Sequence, residues 1–143
     1  MIKRLASVFF LTCCVIASAK AERGCFYPLE IKLVDYAYQV KGVGGIWQSP
    51  KVKEKDFIDS FVGATFRSDK GQELKDGQVE CTYLTGRSRW VTLRYITLNG
   101  PESMSMNDNS NWAPATDPLG QTVYICQDRQ PDNCKFTVEK SKR

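Results

Sequence analysis

Residues 79–98 read VECTYLTGRSRWVTLRYITL, and the predicted fold is built around this segment. Apolar and polar side chains alternate in both of its halves, which is the period of a half-buried strand. Residues 85–88, Thr-Gly-Arg-Ser, have the composition of a turn between the two halves. The segment therefore predicts a β-hairpin, and its Cys81 must find a partner in a distant part of the chain.

Strand-like patterns also precede the hairpin. Leu29 and Ile31 alternate with charged residues, and a shift of phase near residues 34–35 predicts a bulge or a break into two strands. The glycines of residues 42–45 predict a turn, and Pro50 ends the strand that follows it.

Residues 51–62 have a helical period. Phe57 and Phe61 lie four positions apart, and charged residues occupy many of the other positions. The pattern predicts one short helix of about two or three turns, ended by Gly63, with its phenylalanines packed on a sheet.

Residues 1–21 have the order of a secretory signal peptide. Lys3 and Arg4 precede an apolar run, residues 5–16, that is too short to span a bilayer as a helix. Small residues follow this run, and we predict cleavage after Ala21. These features predict an exported protein that is either periplasmic or secreted.

Residues 22–143 are predicted to form one β-rich domain with a single core. Three of the chain's 20 basic residues fall in the predicted signal peptide, which leaves 17 against 16 acidic residues and a formal net charge of +1. This balance and the lack of a Lys/Arg cluster predict no nucleic-acid partner. No segment after the signal peptide has the length and apolar character of a membrane span.

Four cysteines remain in the predicted domain, namely Cys25, Cys81, Cys126 and Cys134. An even number of cysteines in an oxidising compartment predicts two disulfides. A zinc site would need close pairs, whereas the closest pair here has seven residues between its members.

The connectivity that we favour joins Cys25 to Cys81 and Cys126 to Cys134. The second bridge would close a hairpin between the last two predicted strands, which flank the polar loop at residues 127–133. The alternative, in which the first cysteine pairs with the fourth and the second with the third, stays open.

Residues 99–120 contain three prolines and two glycines and show little apolar periodicity. They predict a long loop, and loops of this length in compact domains are usually functional or disordered. Trp112 on this loop has two alternative roles, as an anchor to the core or as an exposed contact for a glycan or a protein, whereas Trp47 and Trp90 are predicted to pack in the core. The candidate contact residues of the loop are Met104, Met106, Asp108, Asn111 and Trp112.

The chain has no histidine, which excludes Ser-His-Asp and Cys-His catalysis in their usual forms and histidine metal sites. Carboxylate chemistry, as in glycoside hydrolysis, needs two positioned acids, for which Asp108 and Asp117 are candidates. Residues 107–111 partly match a calcium loop, but Trp112 replaces the turn glycine and Pro118 replaces the bidentate glutamate. The absence of a motif favours a protein that is not an enzyme and holds no cofactor.

Cysteines and aromatic residues recur in a fixed order along the predicted domain. The positions are Cys25, Pro28, Tyr38, Trp47, Phe61, Ala64, Cys81-Thr-Tyr83, Cys126 and Cys134-Lys-Phe136. This order resembles that of a group of short exported bacterial proteins classed as a domain of unknown function, and it spans nearly the whole domain. The resemblance implies a bacterial exported protein and brings no activity or site residues with it.

The predicted fold is mostly β, a small disulfide-stapled sandwich or partly open barrel with one short helix. The leading functional interpretation is a non-enzymatic envelope or secreted interaction module, whose loop at residues 99–120 contacts an envelope or extracellular protein or a glycan. Two alternatives remain open: a small-ligand or glycan-binding protein that uses exposed aromatic side chains, and a carboxylate-dependent hydrolase.

Overall fold

The structure is a computed structural model that describes residues 22–68, 74–97, 102–106 and 110–140. Within these ranges, eleven strands form one open antiparallel sheet, and two single turns of 3₁₀ helix, Pro28–Glu30 and Pro131–Asn133, accompany it. The mostly β fold is confirmed. The strands are β1 (Glu22–Arg23), β2 (Lys32–Val34), β3 (Ala37–Lys41), β4 (Gly45–Gln48), β5 (Ile58–Ser68), β6 (Gly77–Thr85), β7 (Trp90–Thr97), β8 (Glu102–Ser105), β9 (Ala113–Thr116), β10 (Thr122–Cys126) and β11 (Phe136–Lys140).

Strand β6 is the branch point of the sheet. One of its edges pairs with β5 from end to end. Its other edge is shared, because β7 pairs with residues 80–84 and β8 pairs with Gly77. Three arms extend from β6: the β7 arm (β7, β4, β3, β2), the β8 arm (β8, β11, β1) and the β5 arm (β5, β10, β9).

The core contains side chains of all three arms, and an aromatic cluster in it joins the β7 arm to the β8 arm. Trp47 on β4 contacts Tyr95 on β7 and Phe136 on β11, with ring centroids 5.5 Å apart in both pairs. Below these rings, the hydroxyl of Tyr83 donates a hydrogen bond of 2.7 Å to the carbonyl of Phe26 and accepts one from its backbone N–H. Aromatic packing therefore joins two arms that are not neighbours in the sheet.

The predicted central hairpin is confirmed. Strands β6 and β7 pair antiparallel, with Cys81 opposite Leu93 and Tyr83 opposite Val91, and all four side chains are buried. The connecting turn places Ser88 at φ 61°, in the left-handed region. The alternation read from the sequence is thus the burial pattern of the two strands.

The predicted break near residues 34–35 is also confirmed. Strands β2 and β3 form a hairpin, and Asp35 and Tyr36 in its turn have φ values of 48° and 63°. Two consecutive left-handed residues match the backbone twist that tight hairpins favour. The next turn follows the glycines, with Gly44 at φ 72°, and leads into β4.

The predicted helix at residues 51–62 is wrong, because β5 begins at Ile58. This strand pairs with β6 on one edge and with β10 on the other, so long-range pairing outweighs the local four-residue spacing. Register shifts between Ile58 and Ser60 and between Phe61 and Gly63 interrupt its alternation. These irregularities explain why the segment does not have the simple two-residue period of a strand.

The predicted long loop at residues 99–120 is wrong as well, because β8 and β9 lie within it. The last two predicted strands exist but do not form a hairpin with each other. Strand β10 pairs with β5 and β9, whereas β11 pairs with β8 and β1.

Both predicted disulfides are confirmed. Cys25 is bonded to Cys81 with a Cα–Cα distance of 5.9 Å, and Cys126 to Cys134 with 5.7 Å. The second bridge ties the β5 arm to the β8 arm instead of closing a hairpin. Two disulfides are compatible with an exported protein.

The predicted signal peptide, residues 1–21, lies outside the described residues. In the part of the chain that the structure describes, none of the helical segments combines the length and the apolar character that a membrane crossing requires.

Candidate functional site

The candidate contact residues of the predicted loop are largely buried. Met104 and Met106 lie in the core, and Trp112 is 6% exposed. The indole Nε1–H of Trp112 donates a hydrogen bond of 3.0 Å to the carbonyl of Lys135. Of the two roles considered for Trp112, the structure supports the anchor to the core. Among the described members of the set, Asn111 is the exposed one.

The two candidate acids have different outcomes. Asp108 lies outside the described residues. Asp117 accepts hydrogen bonds from the backbone N–H of Gln121 and of Leu119, both at 2.9 Å, and from the Arg67 guanidinium. The bond from Gln121, with help from Arg67 and Leu119, outweighs desolvation and lowers the pKa of this carboxyl. Asp117 therefore organises a turn as an ionised group.

Trp90 is the exposed tryptophan, and its predicted place in the core is wrong. It is 69% exposed and lies opposite Leu84, on the side of β7 that also carries the exposed Arg94. Val91 and Leu93 point to the other side and are buried. Alternation places Trp90 on this outer face, since neighbouring residues of a strand point to opposite sides.

Beside Trp90, the end of the β6–β7 hairpin, residues 51–56 and Tyr38 border a cavity of about 240 Å³ that is partly open to solvent, here called the hairpin cavity. Its apolar wall includes Val52, Val91 and Trp90. The two segments are joined by a hydrogen bond of 3.0 Å from the Gly86 N–H to the Phe57 carbonyl, just outside the cavity.

Tyr38 lines the cavity and is 1% exposed, and neighbouring atoms cover its hydroxyl oxygen, so a ligand reaches this oxygen only after a small shift of the wall. Its hydroxyl has no hydrogen-bond partner among the residues that the structure describes. Burial, with a smaller effect of the Asp56 charge, raises the pKa of this hydroxyl, so it is neutral at physiological pH. A buried polar group without a partner costs about 1–3 kcal/mol, which makes this hydroxyl a candidate contact for a ligand.

Asp56 also lines the cavity. Its carboxylate accepts hydrogen bonds from the Phe57 N–H at 2.8 Å and the Arg87 N–H at 3.2 Å, and it also bonds to the Thr85 hydroxyl. Desolvation opposes ionisation, but these hydrogen bonds outweigh it and lower the pKa of the carboxyl. Asp56 is therefore a structural anion that holds the hairpin turn against residues 51–56.

The remaining charges around the cavity leave an excess of cations. Glu54 Oε2 lies 2.5 Å from Arg87 Nη1 and 3.7 Å from Arg89 Nη2, so two guanidinium groups compensate it. Lys51 and Lys53 also line the cavity, and neither forms an ion pair with a carboxylate in the described ranges.

A second depression, of about 630 Å³, lies near the turn that follows β9. Its charged side chains are already paired, Arg67 with Asp117 at 2.5 Å and Arg94 with Glu80 at 3.0 Å. Within the described ranges, Tyr38 carries the one buried side-chain polar atom that lacks a partner, and Tyr38 does not line this depression. The hairpin cavity is therefore the stronger candidate.

The described residues contain no group of three acidic or cysteine side chains placed to hold a metal ion. Sequence analysis missed Tyr38, Asp56 and Trp90 as site residues. For Trp90 a signal was present, because it is out of phase with the apolar positions of its own strand. For Tyr38 the sequence holds no such signal, because a tyrosine in an alternating strand pattern gives no indication of whether its hydroxyl has a hydrogen-bond partner.

Comparison with known proteins identifies the family of this chain. The model of a family described as "Protein of unknown function (DUF3757)" matches residues 20–137, and the chain belongs to this family. The resemblance to a family of unknown function is thereby confirmed. Neither the curated proteins nor the solved structures include a significant match.

Proposed function

We propose that this member of the DUF3757 family is an exported, non-enzymatic binding protein that holds a small ligand in the hairpin cavity. The observation that carries the proposal is the Tyr38 hydroxyl, buried without a hydrogen-bond partner in the described residues, in the wall of a cavity beside the exposed Trp90. A ligand that bonds to this hydroxyl and covers the indole would remove an unfavourable buried group and shield apolar surface in one step.

Export is supported by the signal-peptide pattern of residues 1–21 and by the two disulfides. An oxidising location, in the periplasm or outside the cell, is where both bridges would persist.

A binding role, not a catalytic one, is supported by the state of the cavity carboxylates. Asp56 accepts hydrogen bonds from two backbone N–H groups and from the Thr85 hydroxyl, and Glu54 is held by arginines. A glycoside hydrolase needs one carboxyl that can donate a proton and a second that faces the same bond. Two structural carboxylates fit binding better than this chemistry.

A second candidate function is recognition of a protein partner, the role first attached to the predicted loop. One observation favours it: Trp90 and Ile96 are both exposed on the outer face of β7. An exposed tryptophan on a rigid strand is the type of anchor that interfaces use.

The test uses the full chain, produced in an oxidising compartment so that both disulfides form. A thermal-shift screen covers sugars, sugar acids, amino acids, nucleotides and aromatic acids. We expect at least one group to raise the melting temperature, because a ligand that binds only the folded state stabilises it. The rise should be lost in Tyr38→Phe and in Trp90→Ala.

Tyr36→Phe is the matched control, because Tyr36 is a partly exposed tyrosine outside the cavity wall. It should respond to compounds as the wild type does. If every hit persists in both cavity variants, or if no compound shifts the melting temperature, the proposal is overturned. If no small molecule binds but a partner protein is captured by crosslinking, and this capture is lost in Trp90→Ala, the second candidate function is favoured.

A further inference from the structure

The charges of the hairpin cavity select for an anionic ligand. Glu54 is paired with two guanidinium groups, whereas Asp56 keeps its negative charge and is held by backbone and hydroxyl donors. The basic side chains around the cavity outnumber these two carboxylates. Lys51 and Lys53 line the same cavity and have no carboxylate partner in the described part of the chain. An ammonium group without an internal partner in a partly enclosed site favours a ligand with a negative charge.

The apolar part of the wall has an exposed and a buried portion. Trp90 exposes most of its indole, whereas Val91, on the other side of β7, is buried and Val52 is partly buried. An indole face offers a large rigid contact with an apolar body and a polar edge. It fits a ligand ring that has a C–H face or an aromatic face, whereas it contributes little to the affinity for a compact inorganic anion.

The Tyr38 hydroxyl distinguishes between a sugar ring and an aromatic ring as the ligand. A simple aromatic acid carries its polar atoms in one carboxylate, and binding of that carboxylate to the lysines would leave Tyr38 without a partner. A sugar acid carries the carboxylate and several hydroxyl groups, so one molecule can satisfy the lysines and the tyrosine together. Because an unpaired buried hydroxyl is unfavourable, the sugar acid is the better fit.

The volume of the hairpin cavity indicates the size of the ligand. A cavity of about 240 Å³ corresponds to roughly eight water molecules at ~30 Å³ each, which suits one sugar ring. The exposed position of Trp90 leaves room for further sugar units outside the cavity.

We propose that the hairpin cavity binds an anionic saccharide unit, a sugar ring that carries a carboxylate, with Lys51 and Lys53 facing the carboxylate, Trp90 facing the ring and Tyr38 bonded to a ring hydroxyl. This inference rests on the proposed function, and it adds the chemical class of the ligand.

The experiment compares glucuronate and galacturonate with glucose and benzoate by isothermal titration of the full, oxidised chain. We expect at least one of the two sugar acids to bind about tenfold or more tightly than glucose, since a hydrogen bond to a charged group contributes that much. Benzoate should bind no more tightly than glucose. The preference for the sugar acid should weaken as salt is added.

Variants assign the contacts. Lys51→Gln combined with Lys53→Gln should abolish the preference for the sugar acid over glucose, whereas the control pair Lys32→Gln and Lys41→Gln, on exposed strand positions outside the cavity, should keep it. Tyr38→Phe should weaken the binding of the sugar acid and of glucose by a similar factor.

The alternative outcomes separate this inference from the proposed function. If glucose binds as tightly as the sugar acids, or if benzoate binds best and Tyr38→Phe has no effect on it, the ligand class is wrong while binding in the cavity stands. If none of the four compounds binds but the broad screen gives a hit that depends on Tyr38, the same conclusion holds. If that screen is negative too, both proposals fail.

Discussion

Two segments of this molecule differ in polarity, and in each the tryptophan lies where that polarity would not predict it. Residues 102–116 are rich in Asn, Ser and Pro, yet Trp112 and both methionines of this stretch are buried. The end of the central hairpin lies in the strongest strand pattern of the chain, yet its Trp90 is exposed. The difference teaches that strand phase and available hydrogen-bond partners, not the polarity of the neighbours, decide where a tryptophan lies.

Each indole has a physical reason for its place. Trp112 can be buried because the Lys135 carbonyl accepts its N–H, which removes the main cost of burying tryptophan. Trp90 shares its side of β7 with Arg94 and Ile96, and this outer face has no further layer against it among the described residues.

The largest expected effect on stability comes from a pair of alanine substitutions, one at each tryptophan. Trp112→Ala should lower the free energy of unfolding by about 3–5 kcal/mol, because it removes a buried aromatic side chain and leaves a cavity. Trp90→Ala should change it by only about 0.5 kcal/mol. Guanidinium denaturation of both variants measures the two values, and equal losses would contradict the assignment of the two indoles.

A smaller effect is expected from the bridge beside Trp112. Replacing Cys126 and Cys134 by serine should cost about 2–3 kcal/mol, since the bridge closes a short loop with a sequence separation of 8. Because Lys135 follows the bridge directly, acrylamide should reach Trp112 more easily in this variant. The measurement is made in a Trp90→Phe background, so that the exposed Trp90 does not contribute to the fluorescence. Unchanged quenching would show that the bridge does not protect Trp112 from solvent.

Two buried tyrosines give the next contrast. Tyr83→Phe should cost about 1–3 kcal/mol, because its hydroxyl is paired with both polar groups of the Phe26 backbone. Tyr38→Phe should be neutral or slightly stabilising, because it removes a hydroxyl that has no partner in the described residues. Urea midpoints measure both, and a large loss in Tyr38→Phe would reveal a partner for its hydroxyl and weaken the binding proposal.

The smallest effects are those of pH. Folding lowers the pKa of Asp56 and of Asp117 below the usual value of 3.8, so their ionised forms stabilise the folded state. This stabilisation is present above the unfolded pKa and is lost as the pH falls through the folded pKa. Asp56→Asn and Asp117→Asn should therefore be less stable than the wild type at neutral pH and approach it in acid, as followed by urea midpoints from neutral pH to about pH 3.

Local patterns predicted those parts of the fold that depend on neighbours in the sequence. The hairpin at residues 79–98 follows from alternation, and the break near residue 35 follows from a shift of phase. The disulfide between Cys126 and Cys134 was predicted correctly from a hairpin that does not exist. Proximity in sequence was enough to pair the cysteines but not to pair their strands.

The failures depend on contacts that a single sequence does not contain. Residues 51–62 have a helical spacing, but β5 is fixed by strands on both of its edges and contains irregularities that disturb its period. The hairpin cavity depends on where residues 51–56 lie relative to Tyr38, and no local pattern encodes this. The candidate site was therefore less predictable than the sheet that supports it.

The branching of β6 determines how the sheet can open. The β5 and β7 pairings each extend over several residues of this strand, whereas in the described residues the β8 arm shares one backbone pair with it, Gly77 and Met104. We expect the backbone amides of the β8 arm to exchange with solvent before those of β6. When the β8 arm detaches, the Cys126–Cys134 bridge keeps it tethered to the β5 arm, so that local opening stays reversible.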